Sequence, residues 1–311
     1  MLFTIYGNCQ ADVLSNLLQQ SPEFDARYKT ARLRPCFAVS VEEIETWVRD
    51  QAPEVQLLVT QKLRKGWRAQ TEQFDTDWLR GRAAEGAEWL EWTDMYYKAY
   101  EPHMAYPLSF PRRPPVDYIN ILHVLTYANG RPWRDLIPFY EDPALFPVDM
   151  IMAMHRAAQE ELARREEDCS LGIARFMAEN WRQKRHFLTF NHPGRDVVRH
   201  VANQIIDRLG MATPVPETGY FGFPASSGLP LLAGFNQMLE TPDPRDPAVS
   251  FSIDHKVIPM AEYFDRWQAS FDQLGQEALT RELRAQAHQD RIMARPVLET
   301  AARHLGLPVD F

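Results

Sequence analysis

The sequence predicts an α/β protein: a small, mostly parallel sheet flanked by many helices, with a helical C-terminal part. Three observations carry this. Short apolar runs at Leu2–Tyr6 and Val55–Thr60 are each followed by a polar turn. After the first run the apolar period changes at once. Ala11, Val13, Leu14, Leu17 and Leu18 fall on one helical face, the signature of strand, tight turn and helix. The alternation then repeats at the spacing of a parallel sheet under covering helices.

Each element has a local cause. Asn8 suits the N-cap of the first helix, and Asp12 its first turn, where the helix dipole favours negative charge. Arg27–Arg34 reads as a basic strand. Ser40 with Glu43 is a capping box. It opens a helix with Val41, Ile44, Trp47 and Val48 inside, ended by Pro53. Val55–Thr60 reads as a buried strand, Gln61–Arg68 as the basic loop after it, Thr71–Glu85 as a helix and Glu88–Trp92 as a third strand. From Tyr96 to Pro115 an aromatic, proline-rich loop breaks the pattern and is too long to be only a connector. Helices are expected at Tyr118–Ala128, stopped by Asn129 and Gly130, then at Pro147–Asp168 and Ser170–Arg185. Phe187–Phe190 reads as a further strand, parallel and adjacent to the first two. Asn191-His192-Pro193 is its turn, and Pro193 starts a helix through Val197, Val198, Val201, Ile205 and Ile206. Thr213–Asp246 reads mostly as loop. Helices at Met260–Leu274 and Glu277–His304 carry Glu, Arg and Gln on what reads as a solvated face. The expected division is an α/β domain at 1–210 with a helical insertion, carrying the chemistry, and a loop-rich, helical extension at 211–311 packed on it.

Composition narrows the function. The 311 residues, 45% of them hydrophobic, supply a large core. A net charge of −8 argues against a dedicated nucleic-acid binder. No stretch of about 18 apolar residues predicts a membrane span. The N-terminus enters a strand without a basic and apolar leader, which argues against a signal peptide. Cys9, Cys36 and Cys169 are odd in number and far apart, so neither a disulfide framework nor a CxxC site is expected, and a cytoplasmic location fits. Without HExxH, GxxxxGK[ST] or GxGxxG, the sequence points away from a metal site, a nucleoside triphosphatase and a standard dinucleotide fold. It leaves the oligomeric state open, a homo-oligomer included.

Cys9 is the first candidate for chemistry, since it stands where a strand passes into a helix. Free N–H groups at the helix start are expected to stabilise its thiolate and lower its pKa, and Gly7 leaves the sulfur unshielded. The same position also suits a small buried residue. His192 stands at a second strand-to-helix turn. A parallel sheet brings such turns to one edge. Cys9, Gln61 and His192 are therefore expected in one pocket, the sulfur and a ring nitrogen on the order of 3 to 6 Å apart, as nucleophile and base. Asn8, Gln10 and Gln61 offer side-chain N–H groups to a substrate oxygen. Capping, helix surface and loop solvation account for them equally. Lys62, Arg64, Lys65 and Arg68 are the densest basic cluster of an acidic chain, with Arg112 and Arg113 a second. Either cluster suits phosphates, or simply solvates a loop.

Ile5-Tyr6-Gly7-Asn8-Cys9-Gln10, together with Thr189-Phe190-Asn191-His192-Pro193, resembles the WcbI family of capsular polysaccharide biosynthesis proteins. Val59-Thr60-Gln61, Tyr106-Pro107 ahead of Asp117-Tyr118, and Asp168-Cys169 also look like that family. The resemblance covers about two thirds of the chain. It implies binding of coenzyme A and transfer of acetyl from acetyl-CoA, as substrate, to a sugar hydroxyl of a glycan acceptor. Cys9, His192, Asn8 and Gln10 are then the expected catalytic group. Gly7, Gln61, Asn191, Arg112 and the basic loop are the expected coenzyme contacts. The Gly7-Asn8-Cys9 turn also looks like the Gly-Asp-Ser turn of SGNH-type esterases, so the strand–turn–helix units are expected to be SGNH- or flavodoxin-like. Cysteine for serine and asparagine for aspartate depart from simple ester hydrolysis. An esterase or deacetylase, and a non-catalytic coenzyme A- or glycan-binding module, are the alternatives.

Overall fold

The computed structural model describes residues 1–63, 71–111, 118–223, 230–244, 251–253 and 256–309. The chain forms two compact units that interleave in sequence. The first comprises Met1–Tyr96, Glu161–Glu179 and His192–Phe223. The second comprises Tyr97–Glu160, Asn180–Asn191 and Pro224–Phe311, so residues 97–160 and 180–191 go with the C-terminal segment.

The first unit is the α/β part. It begins with β1 (Leu2–Tyr6), α1 (Cys9–Leu18), α2 (Pro22–Arg27), β2 (Lys29–Thr30), α3 (Val41–Asp50), β3 (Val55–Gln61), α4 (Thr76–Arg80) and β4 (Glu88–Trp92). The four strands pair in parallel in the order β2-β1-β3-β4, with Phe3 opposite Leu57 and Tyr6 opposite Thr60. The chain leaves β1 for β2 on one side and returns to β3 on the other. The β1/β3 boundary is thus the switch point where a parallel sheet opens a crevice beyond its carboxyl ends. Interior strands are covered on both faces, hence their near-continuous apolar runs. On one face Ile44 and Trp47 of α3 and Leu79 of α4 join Tyr6, Val55 and Leu58 in a buried core. On the other Phe3 meets Phe24 edge-on at 5.0 Å, and Phe24 stacks on Tyr28 at 5.0 Å. α1 packs on the helix Arg195–Arg208, burying Val13, Leu14 and Leu17 of one and Val197, Val201 and Ile205 of the other.

Several elements differ from the sequence reading for visible reasons. The basic strand shrinks to Lys29–Thr30, because the Ala31 carbonyl accepts from Thr4 Oγ1 (2.6 Å) and Trp47 Nε1 (3.3 Å). The expected Thr71–Glu85 helix is a single 3₁₀ turn at Glu72–Phe74 followed by α4, restarted where the Asp75 side chain caps Asp77 N (2.9 Å). The Ser170–Arg185 helix is Ala174–Asn180, opened by the Glu166 carboxylate, which accepts from the N–H groups of Ile173 and Ala174 at 2.7 and 2.8 Å. Pro193 does not start a helix: it is extended, and Gly194 precedes the first helical residue, Arg195.

Phe187–Thr189 is a strand but not one of the four in the main sheet, which corrects the expected third neighbour of β1 and β3. It belongs to the second unit. There Arg185, almost wholly buried, donates to the carbonyls of Phe187 (2.7 Å) and Leu188 (2.6 Å) while its guanidinium pairs with Glu101 and Asp243. Tyr97 N donates to Phe190 O at 2.7 Å.

The second unit is largely helical. Ile121–Ala128 packs against Met260–Leu274, Gln276–Gln289 and Ala294–Leu305. Three histidines lie inside it. His123 sits between Phe264 and Phe271, both at 4.8 Å; His155 stacks on Trp181 at 3.8 Å with Nδ1 2.9 Å from Tyr97 Oη; His103 is fully buried beside Tyr140. The C-terminal polar residues are not all solvated. Glu282 is fully buried and accepts from Leu108 N, Ser109 N and Ser109 Oγ, and buried Gln286 donates to Tyr106 O at 2.7 Å. The expected Glu277–His304 helix is two, broken where Asp290 takes Lys98 at 2.5 Å and Met293 N at 2.8 Å. No helix among the described residues is long and apolar enough to cross a membrane.

Candidate active site

The site grows from the carboxyl ends of β1, β3 and β4. A Cβ on Gly7 would lie 2.8 Å from both Cβ and Oε1 of Gln61, so only glycine lets the ends of β1 and β3 come this close. Gln61 Oε1 accepts from Asn8 N at 2.7 Å across the switch point. Asn8 Oδ1 caps α1 by accepting from Gln10 N (2.9 Å), and Asn8 Nδ2 donates to Asp94 Oδ1 (2.9 Å). Fully buried Gln10 exchanges two bonds with the Met95 backbone, at 2.8 and 3.0 Å. Asn8 and Gln10 thus each use a side-chain N–H, and Gln61 its carbonyl, to hold the turn to the exit of β4. Gln10, expected on the helix surface if not at a substrate, is instead a buried strut of the turn.

Asp94 and Arg165 were not among the sequence candidates. Arg165 donates to the carbonyls of Asp94 and Tyr96, both at 3.0 Å, and fixes the chain after β4. Asp94 has the same signal as Gln61, a polar residue just past a strand end. Burial raises its pKa, opposed by Arg165.

Cys9 is the first residue of α1 and half-buried. Its thiol is pushed up to about 11, first by burial and then by the Asp94 carboxylate; the N–H groups of Cys9 and Gln10 pull the other way and lose. This reverses the expected depression. The helix start is largely spoken for, since Asn8 itself takes the N–H groups of Gln10 and Ala11.

Cys9 opens on a groove of about 460 Å³, with Asp12, Asn16, Thr30 and Arg32 on one side and Tyr220, Gly222 and Phe223 on another. Arg32, largely exposed, pairs with half-buried Asp12 at 3.3 Å. The His192 ring packs on Phe223, centroids 4.7 Å apart, so Phe223 links it to the groove. Asn191 belongs to the second unit, where its amide accepts from Tyr118 Oη (2.8 Å) and Thr189 Oγ1 (2.9 Å) and donates to Tyr106 Oη (2.5 Å). Lys62 lies 3.5 Å from Asp168 and lines another cavity, of about 580 Å³, with Glu72, Asp75, Asp77 and Glu91, a lining that repels phosphate. Arg64, Lys65, Arg68 and Arg112 lie outside the described residues. Among the described residues no three His, Cys, Asp or Glu side chains gather to hold a metal ion.

Fold and site together define an α/β protein with a cysteine at the switch point of a flavodoxin-like strand order. The family model described as polysaccharide biosynthesis enzyme WcbI matches residues 2–214, and the chain belongs to that family. A solved structure of WcbI, described as a novel polysaccharide biosynthesis enzyme and as a native form without a disulfide bond between coenzyme A and one of its cysteines, is similar over 96% of this chain and 98% of its own. The TM-score is 0.83 at 21% sequence identity. A search of curated proteins found no match.

Proposed function

We propose that this protein binds coenzyme A in the Cys9 groove and transfers acetyl from acetyl-CoA to a sugar hydroxyl in polysaccharide biosynthesis, in the cytoplasm. The observation that carries the reading is Cys9 at the switch point, opening on a groove whose aromatic wall packs on His192. The coenzyme A named with the similar structure, and its cysteine, support a thioester sulfur beside Cys9. A thiol near 11 is neutral at physiological pH. That favours direct transfer over an acyl-cysteine. His192 takes the acceptor's hydroxyl proton, the oxygen attacks the thioester carbonyl, and the coenzyme A thiolate leaves and is protonated. The neutral Cys9 thiol faces the developing oxyanion as a weak donor.

Calorimetry with coenzyme A should give measurable binding, and acetyl transfer to a sugar acceptor should be lost in His192→Ala. No binding at millimolar coenzyme A overturns the proposal. Steady hydrolysis of an activated acetyl ester without coenzyme A, lost in Cys9→Ala, replaces it with the esterase reading.

A further inference from the structure

Residues 213–223 contain neither helix nor strand, so their carbonyls must find partners elsewhere. One side chain supplies five of them in succession. Arg195 donates from Nε to Glu217 O (2.9 Å), from Nη1 to Gly219 O (3.2 Å) and Tyr220 O (2.8 Å), and from Nη2 to Pro216 O (2.9 Å) and Thr218 O (2.9 Å). Nη2 also reaches Gln20 Oε1 at 3.0 Å. Gln20, just past α1, donates in turn from Nε2 to Tyr220 O at 2.7 Å. Gly219 has φ +127°, and a Cβ there would sit 2.7 Å from Gln20 Oε1. A Cβ on Gly222 would sit 3.2 Å from Val13 Cγ2, so this segment lies directly against α1. Tyr220, Gly222 and Phe223, which line the groove, belong to the same segment.

We propose that Arg195 is a positioning residue that clasps 216–220 to the end of α1, holding Tyr220 and Phe223 as the wall of the Cys9 groove and setting how far that groove opens to a thioester. The proposal rests on the reading of this groove as the coenzyme A site. It acts through Phe223, which the His192 ring touches. Five successive carbonyls need the planar fork of a guanidinium; a lysine ammonium, a point charge with three donors, cannot span them.

The test uses the full chain. Modification of Cys9, followed by mass spectrometry of its peptide, is timed with iodoacetamide and with a bulky maleimide. Arg195→Lys and Arg195→Ala should raise the maleimide rate relative to the iodoacetamide rate by about tenfold. Simple destabilisation would raise both rates alike. Gln20→Ala, which removes one partner of the clasp, should move the ratio the same way by less and serves if the Arg195 variants do not fold. In acetyl transfer the KM for acetyl-CoA should rise while kcat changes little. An unchanged reagent ratio in folded Arg195→Lys, or in Gln20→Ala if that variant alone folds, overturns the clasp. A shifted ratio in a protein that binds no coenzyme A upholds the clasp and removes the functional reading alone.

Discussion

At the scale of single residues, Cys9 is held neutral by its surroundings. With the thiol near 11, on the order of one in a thousand is ionised at pH 8. The alkylation rate of Cys9 should therefore keep rising with pH beyond 9 instead of levelling off. Asp94→Asn keeps a carbonyl for Asn8 Nδ2 but removes the second-largest cause of the shift. The inflection should move down and the rate at pH 8 should rise several-fold, while burial keeps the thiol above the ordinary range. An unchanged profile would show that Asp94 does not act on the sulfur. The position of Cys9 was legible in the sequence because strand and helix periods meet there. Its ionisation was not, because Asp94 lies 85 residues away and only the sheet brings the two close.

At the scale of elements, the β1 turn is fixed by a close approach. Gly7→Ala would set a methyl 2.8 Å from Gln61 Cβ and Oε1 and 3.1 Å from Trp92 Cζ2. The expected cost is about 1 to 3 kcal/mol. A thermal melt should show a drop of several degrees, with coenzyme A affinity weakened because Asn8 and Cys9 move with the turn; an unshifted melt contradicts the close approach. β1, α1, the Ser40–Glu43 capping box and β3 could be read because local period and capping decide them. Read from the sequence, Phe187–Thr189 falls in the wrong sheet, because an apolar run shows that a strand is buried but is silent about its neighbours. Glu282 and Gln286 read as solvated for a related reason: their partners, Tyr106 to Ser109, are more than 170 residues distant.

At the scale of the molecule, parallel pairing and the helical C-terminal part follow from the pattern of the sequence, but the grouping of segments does not. Contiguity suggests that residues 97–160 stay with the α/β part, whereas they share a unit with the C-terminal helices. The buried histidines of that unit have a consequence for its tolerance of acid. Burial pushes His103, His123 and His155 down to about 3. The folded unit keeps them neutral while an unfolded chain protonates them below about 6.5. Their contribution is therefore intact above that pH and lost as the pH falls towards 3, by up to about 1.4 kcal/mol per pH unit for each. In the other unit the shifts oppose one another: raised Glu91, Asp94 and Glu166 take up protons earlier in the folded form and favour it on acidification, while lowered His200, Glu43 and Asp50 disfavour it. Calorimetric scans from pH 7 to pH 4 should resolve one transition into two, and hydrogen exchange should assign the earlier one to the helices around His123; a single transition at every pH would count against it. Acid therefore reaches this protein first through three imidazoles that the aromatic helices keep dry, so its weakest point in acid lies in the unit that carries no part of the cysteine groove.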